Sequence, residues 1–395
     1  MTETPQQAYI SKVHLKGYKS IRDLEIDFKP GLNIIIGPNG SGKTNFLEFI
    51  KEFLFGMGEF PNLRGKDFTY FLEANVEEGI FQEKVVGNID YDNEDTFFTI
   101  YETIKLNYKI LEDNEKIYKN RNTLVSYKDN SKLSDEERVN RFSFIYDYQL
   151  IEHFNILNQI LDKKSSLEFS QLKGKLFMKH PEGFEYIPFY SHFSLNRQED
   201  EYDITNMVKI SEDLTINLNK YTPIKNLRID GRYLRQYENE ENQTVLDGIV
   251  LQFFVNNKWL FWNQLSDGTK RLFYIFTTIL ISHRMFIFLE EPELGIHPDQ
   301  LHKLMDFLIE QSKEKQIIIT THSPEVLNAI HPDELDRIIV TRYDADKGTI
   351  MHKLTPEQAK EMGERVKEGD MFLSDRWVHL NLEDEIFNAT KLNEK

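Results

Sequence analysis

The chain has 395 residues, a formal net charge of −17 and no cysteine, which excludes disulfides, thiolate metal sites and cysteine nucleophiles. So acidic a surface argues against broad nonspecific nucleic-acid binding, so DNA is an allowed partner but not a required one. The opening "MTETPQQAYI" lacks a charged-then-apolar leader. The longest apolar run, "RLFYIFTTILIS", falls short of the ~18 residues a membrane span needs, so a cytoplasmic protein without a membrane partner is expected.

Residues 9–36 alternate in the strand manner, with Val13/Leu15, Leu24/Ile26/Phe28 and Leu32/Ile34/Ile36 each marking one face. "GKTNFLEFIKEFLF" follows as a helix with Phe46, Ile50, Phe53 and Leu54 on one side. From about 79 to 127, short alternating pieces separated by Asn/Asp/Glu turns predict an antiparallel sheet. The basic stretch "KIYKNRN" and the lysines Lys163, Lys164, Lys173, Lys175 and Lys179 read as solvated surface. Residues 133–165 read as helical, and 166–245 as mixed and turn-rich, without an internal repeat.

Regular patterning returns at "IVLQFFVNNKWLFW", a hairpin turning at Asn256-Asn257. Next come a helix over about 268–283, the buried strand "MFIFLE", a helix opened by Pro298, and the buried strand "QIIITTHS". The Pro298 helix is expected to bury Leu301, Leu304, Met305, Leu308 and Ile309. Apolar runs alternating with helices indicate a parallel sheet covered on both faces. A last helix is capped as a box by Thr355, Pro356 and Gln358. The segment "DMFLSDRWVHL", with Phe372 and Trp377, is a candidate docking site, although aromatics in a C-terminal segment more often pack on the core.

"GPNGSGKT", Gly37 to Thr44, has the form G-x-x-x-x-G-K-[ST] between a strand and a helix. Its glycines let the backbone curl round an anion. The N–H groups of Gly37, Asn39, Gly40, Ser41 and Gly42, with the helix N-terminus, would then hold phosphates. Lys43 would reach the β- and γ-phosphates of ATP, and the Thr44 hydroxyl would bind Mg²⁺.

The strand ending in Glu290-Glu291 sets two carboxylates at the carboxyl edge of a parallel sheet, where ligands bind. Consecutive strand residues point opposite ways, so Glu290 can orient Mg²⁺ through its water shell while Glu291 polarises the attacking water. His322, at the tip of "IIITTHSP", is placed to hydrogen-bond the γ-phosphate or that water. "YDADKG" offers Asp344 and Asp346, which read as a turn between two strands rather than as a nuclease pair.

"LSDGTKRL" resembles the signature of the ABC ATPase family, with Asp267 in place of a glycine and Thr269 in place of the acid. The order phosphate loop, signature, acid and histidine completes the resemblance. It implies an α/β fold, an ABC-type P-loop ATPase head with a mixed/parallel core sheet flanked by helices, an antiparallel β subdomain and a helical inserted lobe. The implied division is residues 1–130 (N-terminal ATPase lobe), 131–245 (inserted lobe) and 246–395 (C-terminal ATPase lobe). In that family the signature serves the other subunit. Ser266, Gly268 and Thr269 would therefore cap ATP bound to a second copy, giving a homo-oligomer that is at least a dimer.

"EEPELGIHP" and "GYKSIRDLEIDFKPGLNIIIGPNGSGKT" resemble the SMC-like, RecF-like and OLD-type (overcoming-lysogenization-defect) ATPases, which implies that Lys19 and Ser20 lie near the nucleotide. No long heptad run supplies coiled-coil arms. The Q-loop has two candidates, Gln82 and Gln149. "LSDGTKR" is similar to AAA ATPases of bacterial anti-phage operons of the PARIS, Septu or abortive-infection L type. That likeness implies an ATPase controlling a separately encoded effector, a Toprim or HNH nuclease. The alternative is a RecF-like DNA-binding repair clamp.

Overall fold

In a computed structural model of the protein, the structure describes residues 8–55, 67–76, 79–90, 95–106, 109–119, 123–129, 168–172, 175–179, 193–195, 208–232, 235–238, 244–247, 250–281, 286–369 and 372–379. The helical segment expected at 133–165 lies outside these residues, as does Gln149. The chain divides into two compact units. One comprises Met1–Tyr148, Arg284–Glu293 and Leu308–Lys395, the other Gln149–His283 and Leu294–Phe307.

The first unit opens with β1 (Tyr9–Tyr18), β2 (Ile21–Asp27), β3 (Leu32–Ile36) and α1 (Lys43–Phe55). β2 alternates buried and exposed residues, whereas β3 is buried throughout, as befits a central strand covered on both faces. Asn33, wholly buried, ties down the β2–β3 connection: its side chain accepts from the Lys29 N–H and donates to the Lys29 and Gly31 carbonyls. α1 buries Phe46 and Ile50, as its apolar periodicity predicts, together with Leu47 and Phe49; the side chains of Phe53 and Leu54 lie outside the described residues. Phe49 meets the Tyr18 ring edge-on at 4.9 Å and the Tyr70 ring at 5.5 Å. β4 (Asp67–Val76), β5 (Gly79–Asp90), β6 (Asp95–Leu106), β7 (Lys109–Lys119) and β8 (Thr123–Asp129) form an antiparallel meander. It is continuous with the core sheet, because β4 pairs with β1.

The second unit carries β9 (Glu168–Leu172), β10 (Lys175–Lys179), β11 (Phe193–Leu195), β12 (Val208–Ile210), α2 (Glu212–Tyr221), β13 (Asn226–Ile229), β14 (Arg235–Glu238) and β15 (Thr244–Asp247). β16 (Leu251–Val255), β17 (Lys258–Phe261) and α3 (Asp267–Ile281) follow. Strands 10-9-15-14 and 13-16-17 make two small antiparallel sheets. The β16–β17 hairpin turns at Asn256-Asn257, both at positive φ, as a type I′ turn requires. Phe253, Trp262 and Phe273 pack together, and Phe276 stacks on Phe307 at 3.9 Å.

The chain continues through β18 (Phe286–Glu290), α4 (Pro298–Gln311), β19 (Gln316–Thr321), β20 (Ile338–Asp344), β21 (Gly348–Lys353), α5 (Pro356–Lys367) and α6 (Leu373–His379). α4 buries Leu301, Leu304, Met305 and Leu308, with Phe307 fully buried where Ile309 was expected. The large sheet runs 18-19-3-20-21-2-1-4-5-6-7-8. β18, β19, β3 and β20 are parallel, and the remaining pairings are antiparallel. Gln316, fully buried, staples the N-terminal strand to this core: its amide exchanges hydrogen bonds with the Ile10 backbone and donates to the Lys29 carbonyl. Thr355 caps α5 in a capping box with Gln358. Of the tail aromatics, Phe372 is exposed and Trp377 partly covered. Among the described residues no helix is long and apolar enough to cross a membrane.

Candidate nucleotide site

β3 delivers the phosphate loop to the carboxyl edge of the parallel strands, and α1 begins at Lys43 directly behind it. Two glycines are required by close approach. A Cβ on Gly37 would drive into the Thr341 carbonyl and come within 2.8 Å of the Thr341 methyl. A Cβ on Gly42, at φ +101°, would fall 2.8 Å from the Thr349 methyl. The hairpin β20–β21 therefore presses against the loop from behind. Ser41 is buried, its N–H bonded to the Pro38 carbonyl at 3.2 Å and its hydroxyl without a partner among the described residues. Asn39 and Gly40 lie on the loop's open side, both exposed.

Lys43 is buried, with Nζ donating to the Gly37 and Pro38 carbonyls at 2.7 and 3.0 Å. Burial lowers its pKa from the usual lysine value, while the carboxylates of Glu291, Glu293 and Glu290 act against that shift. A desolvated cation at the mouth of a nest of backbone N–H groups is a fit for polyphosphate. The fit extends to Mg²⁺: Thr44 Oγ1 donates to Glu290 Oε1 at 2.5 Å, so the two groups assigned to the cation already meet. Among the described residues no cluster of three or more His, Asp or Glu is spaced to hold a metal ion.

Glu290 and Glu291 diverge: β18 ends at Glu290, and Glu291 stands just past it outside strand conformation. Glu290 turns to Thr44, whereas Glu291 lies 3.1 Å from His322 Nδ1. Glu291 also has φ +43°, in the left-handed region, with its N–H bonded to the Thr320 carbonyl at 2.8 Å. A non-glycine residue held there, beside a catalytic candidate, is where backbone strain tends to concentrate.

Lys19 and Ser20 sit at the β1–β2 turn, with Lys19 at φ +47°. The Lys19 ammonium pairs with Glu48 of α1. Ser20 Oγ accepts from Asn45 Nδ2 at 2.6 Å and bonds the Thr349 hydroxyl at 2.7 Å, while the Thr349 N–H donates to the Ser20 carbonyl. Both residues thus brace the first turns of α1. Asn45, Thr341 and Thr349 were missed by sequence reasoning, because no local pattern marks a residue that acts by contact across 25 positions, as Asn45 does, or across hundreds, as the two threonines do. Glu293 was missed too, although its place in "EEPE" is a signal that could have found it. It is buried and accepts from the Thr321 hydroxyl.

The signature lies in the second unit. Ser266 precedes α3 and caps it, its Oγ accepting from the Thr269 N–H at 3.2 Å and bonding the Thr269 hydroxyl at 2.8 Å. Gly268 permits close approach of the Gly295 carbonyl, 2.6 Å from where its Cβ would stand. Asp267, in the first turn, is almost fully exposed. Gln82, a Q-loop candidate, stands in β5 with its amide bonded to Glu73 at 2.6 Å.

A phosphate loop between a buried strand and a helix, an acid pair on a neighbouring parallel strand, a histidine at the next strand tip and a serine-capped signature helix define an ATP-binding P-loop protein of the ABC ATPase class. The chain belongs to the family described as "AAA domain, putative AbiEii toxin, Type IV TA system", whose profile matches residues 32–328. It is similar to the Septu protein PtuA of Bacillus thuringiensis, with 22% identity over 91% of this chain and 82% of that protein. It is also similar to the DNA replication and repair protein RecF of Streptococcus gordonii, 38% identical over 22% of this chain and 24% of RecF. Among solved structures, the Smc head bound to the C-winged helix domain of ScpA shares the fold. It has a TM-score of 0.50 and 16% identity over 89% of this chain and 99% of that one.

Proposed function

We propose that the chain hydrolyses ATP at a site shared between two copies and acts as sensor and scaffold for a separately encoded effector in anti-phage defence. The observation that carries the reading is the complete set on one polypeptide: Lys43 in its phosphate loop, Thr44 against Glu290, Glu291 against His322, and Ser266 capping the signature helix at its exposed start. ATP would join the loop of one copy to the signature of the next, and hydrolysis would release them. Similarity to a Septu protein over 91% of the chain supports the defence assignment. The effector would be a nuclease of the Toprim or HNH type. Asp344 supports a nuclease supplied by another chain, since its Oδ1 accepts from the N–H groups of Asp346 and Lys347 and so closes its own turn.

The test is the solution mass and turnover of Glu291→Gln with and without ATP-Mg²⁺. The variant should bind ATP and lose roughly 10² or more in turnover, because the group that activates water is gone. Lys43→Ala should lose binding itself. An assembly present without ATP that releases toxicity with a neighbouring gene product supports the scaffold. The local RecF similarity favours one other reading, a clamp on DNA. A monomer that dimerises only with ATP and then binds duplex in a salt-dependent way would replace the scaffold with that clamp. Native turnover in Glu291→Gln would overturn the assignment of the base.

A further inference from the structure

The acid strand end carries a third carboxylate to which neither Mg²⁺ nor water activation has been assigned. Glu293 follows the left-handed turn at Glu291 and Pro292 and is 9% exposed. Its Oε1 accepts the Thr321 hydroxyl, while its Oε2 is buried and has no hydrogen-bond partner among the described residues. A buried carboxylate oxygen left unmatched is costly, and a fold keeps one where the vacant acceptor has a use. Thr321 immediately precedes His322, so Glu293 holds the residue from which the imidazole projects. The imidazole lies near it as well: His322 Nδ1 is 3.1 Å from Glu291 Oε1, within hydrogen-bond reach, and 4.0 Å from Glu293 Oε1, just beyond it. With two carboxylates facing this nitrogen, Nδ1 carries the hydrogen.

We propose that Glu293 is a positioning residue, the second acceptor to which the His322 Nδ1–H moves when Glu291 has to act. The proposal rests on the ATPase reading. In the arrangement described, a lone pair of Glu291 Oε1 is engaged by the imidazole. Turning Nδ1 from Glu291 toward Glu293 frees that lone pair without leaving the imidazole N–H unsatisfied. No covalent bond changes in this step. The hydrogen stays on Nδ1, only its acceptor changes, and the opposite ring nitrogen is brought round toward the nucleotide. The vacant Oε2 is what lets Glu293 receive a second donor while still holding Thr321.

Glu293→Gln separates this role from a structural one. The amide carbonyl can still accept from Thr321, but an NH₂ group replaces the vacant acceptor and the charge is lost. The variant should bind ATP with unchanged affinity and show a roughly tenfold fall in kcat at unchanged KM, the scale of one charge-assisted hydrogen bond. A second readout is the ¹⁵N resonance of His322 Nδ1 in the full chain, assigned against His322→Asn. It should move when a non-hydrolysable ATP analogue with Mg²⁺ binds the native protein, and stay still in Glu293→Gln. Native kcat in Glu293→Gln, beside a slow Glu291→Gln, would overturn the proposal and leave the ATPase reading standing. So would an equal resonance shift in both proteins. If the native chain binds ATP without turnover, the ATPase reading fails and the resonance comparison alone decides.

Discussion

Glu291 combines a chemical assignment with a backbone conformation that opposes it, and the two can be separated by substitution. At φ +43° a side chain bearing Cβ is disfavoured by about 1–2 kcal/mol, a penalty glycine does not carry. Glycine in turn loses about 0.4–1 kcal/mol through the greater freedom of its unfolded chain. Glu291→Gln and Glu291→Gly both remove the carboxylate facing His322, and both keep the backbone bond from residue 291 to the Thr320 carbonyl. Their difference therefore isolates the backbone. The balance favours glycine by about 0.5–1 kcal/mol, the reverse of the order at an ordinary negative-φ position. Paired urea titrations, following the unit that holds the phosphate loop, would read this difference. Both variants should have lost ATP turnover. Glu291→Gly less stable than Glu291→Gln by about 1 kcal/mol would refute the strain argument. The expected order would mean that stability is given up here to aim a functional carboxylate.

Gly37→Ala should cost about 2–3 kcal/mol and abolish ATP binding, because its Cβ meets the backbone of β20 rather than a side chain that can swing away. Denaturation and nucleotide titration of the same sample would check both effects. In the second unit, the Arg232 guanidinium holds the Asp230 carboxyl below the usual 3.8. Its contribution is therefore fully present above that value and disappears as pH falls through the lowered one. Asp230→Asn should destabilise the unit by about 1 kcal/mol at neutral pH and by progressively less in acid, as read from melting curves across about pH 2 to 7.

The parts of the site confined to a short stretch of chain are legible in the amino-acid sequence. The phosphate loop, the acid pair, His322 and the Ser266 cap each depend on a strand end or helix start only a few residues long, where spacing marks the residue types the chemistry needs. Buried strands are legible for the same reason, since a short run rich in isoleucine such as "NIII" suits a strand covered on both faces. The sequence by itself thus determined the nucleotide-binding chemistry and the ABC class. Tertiary structure alone decided how that chemistry is held. The Ser20–Thr349 contact spans 329 positions, and the Gln316 staple reaches back 306 to Ile10. β20 and β21 press on the loop from the far end of the chain. The left-handed turn at Glu291 and the burial of Glu293 against Thr321 belong to the same class. Contacts of that range have no local signature, because the residues that make them are chosen by what the folded chain brings beside them.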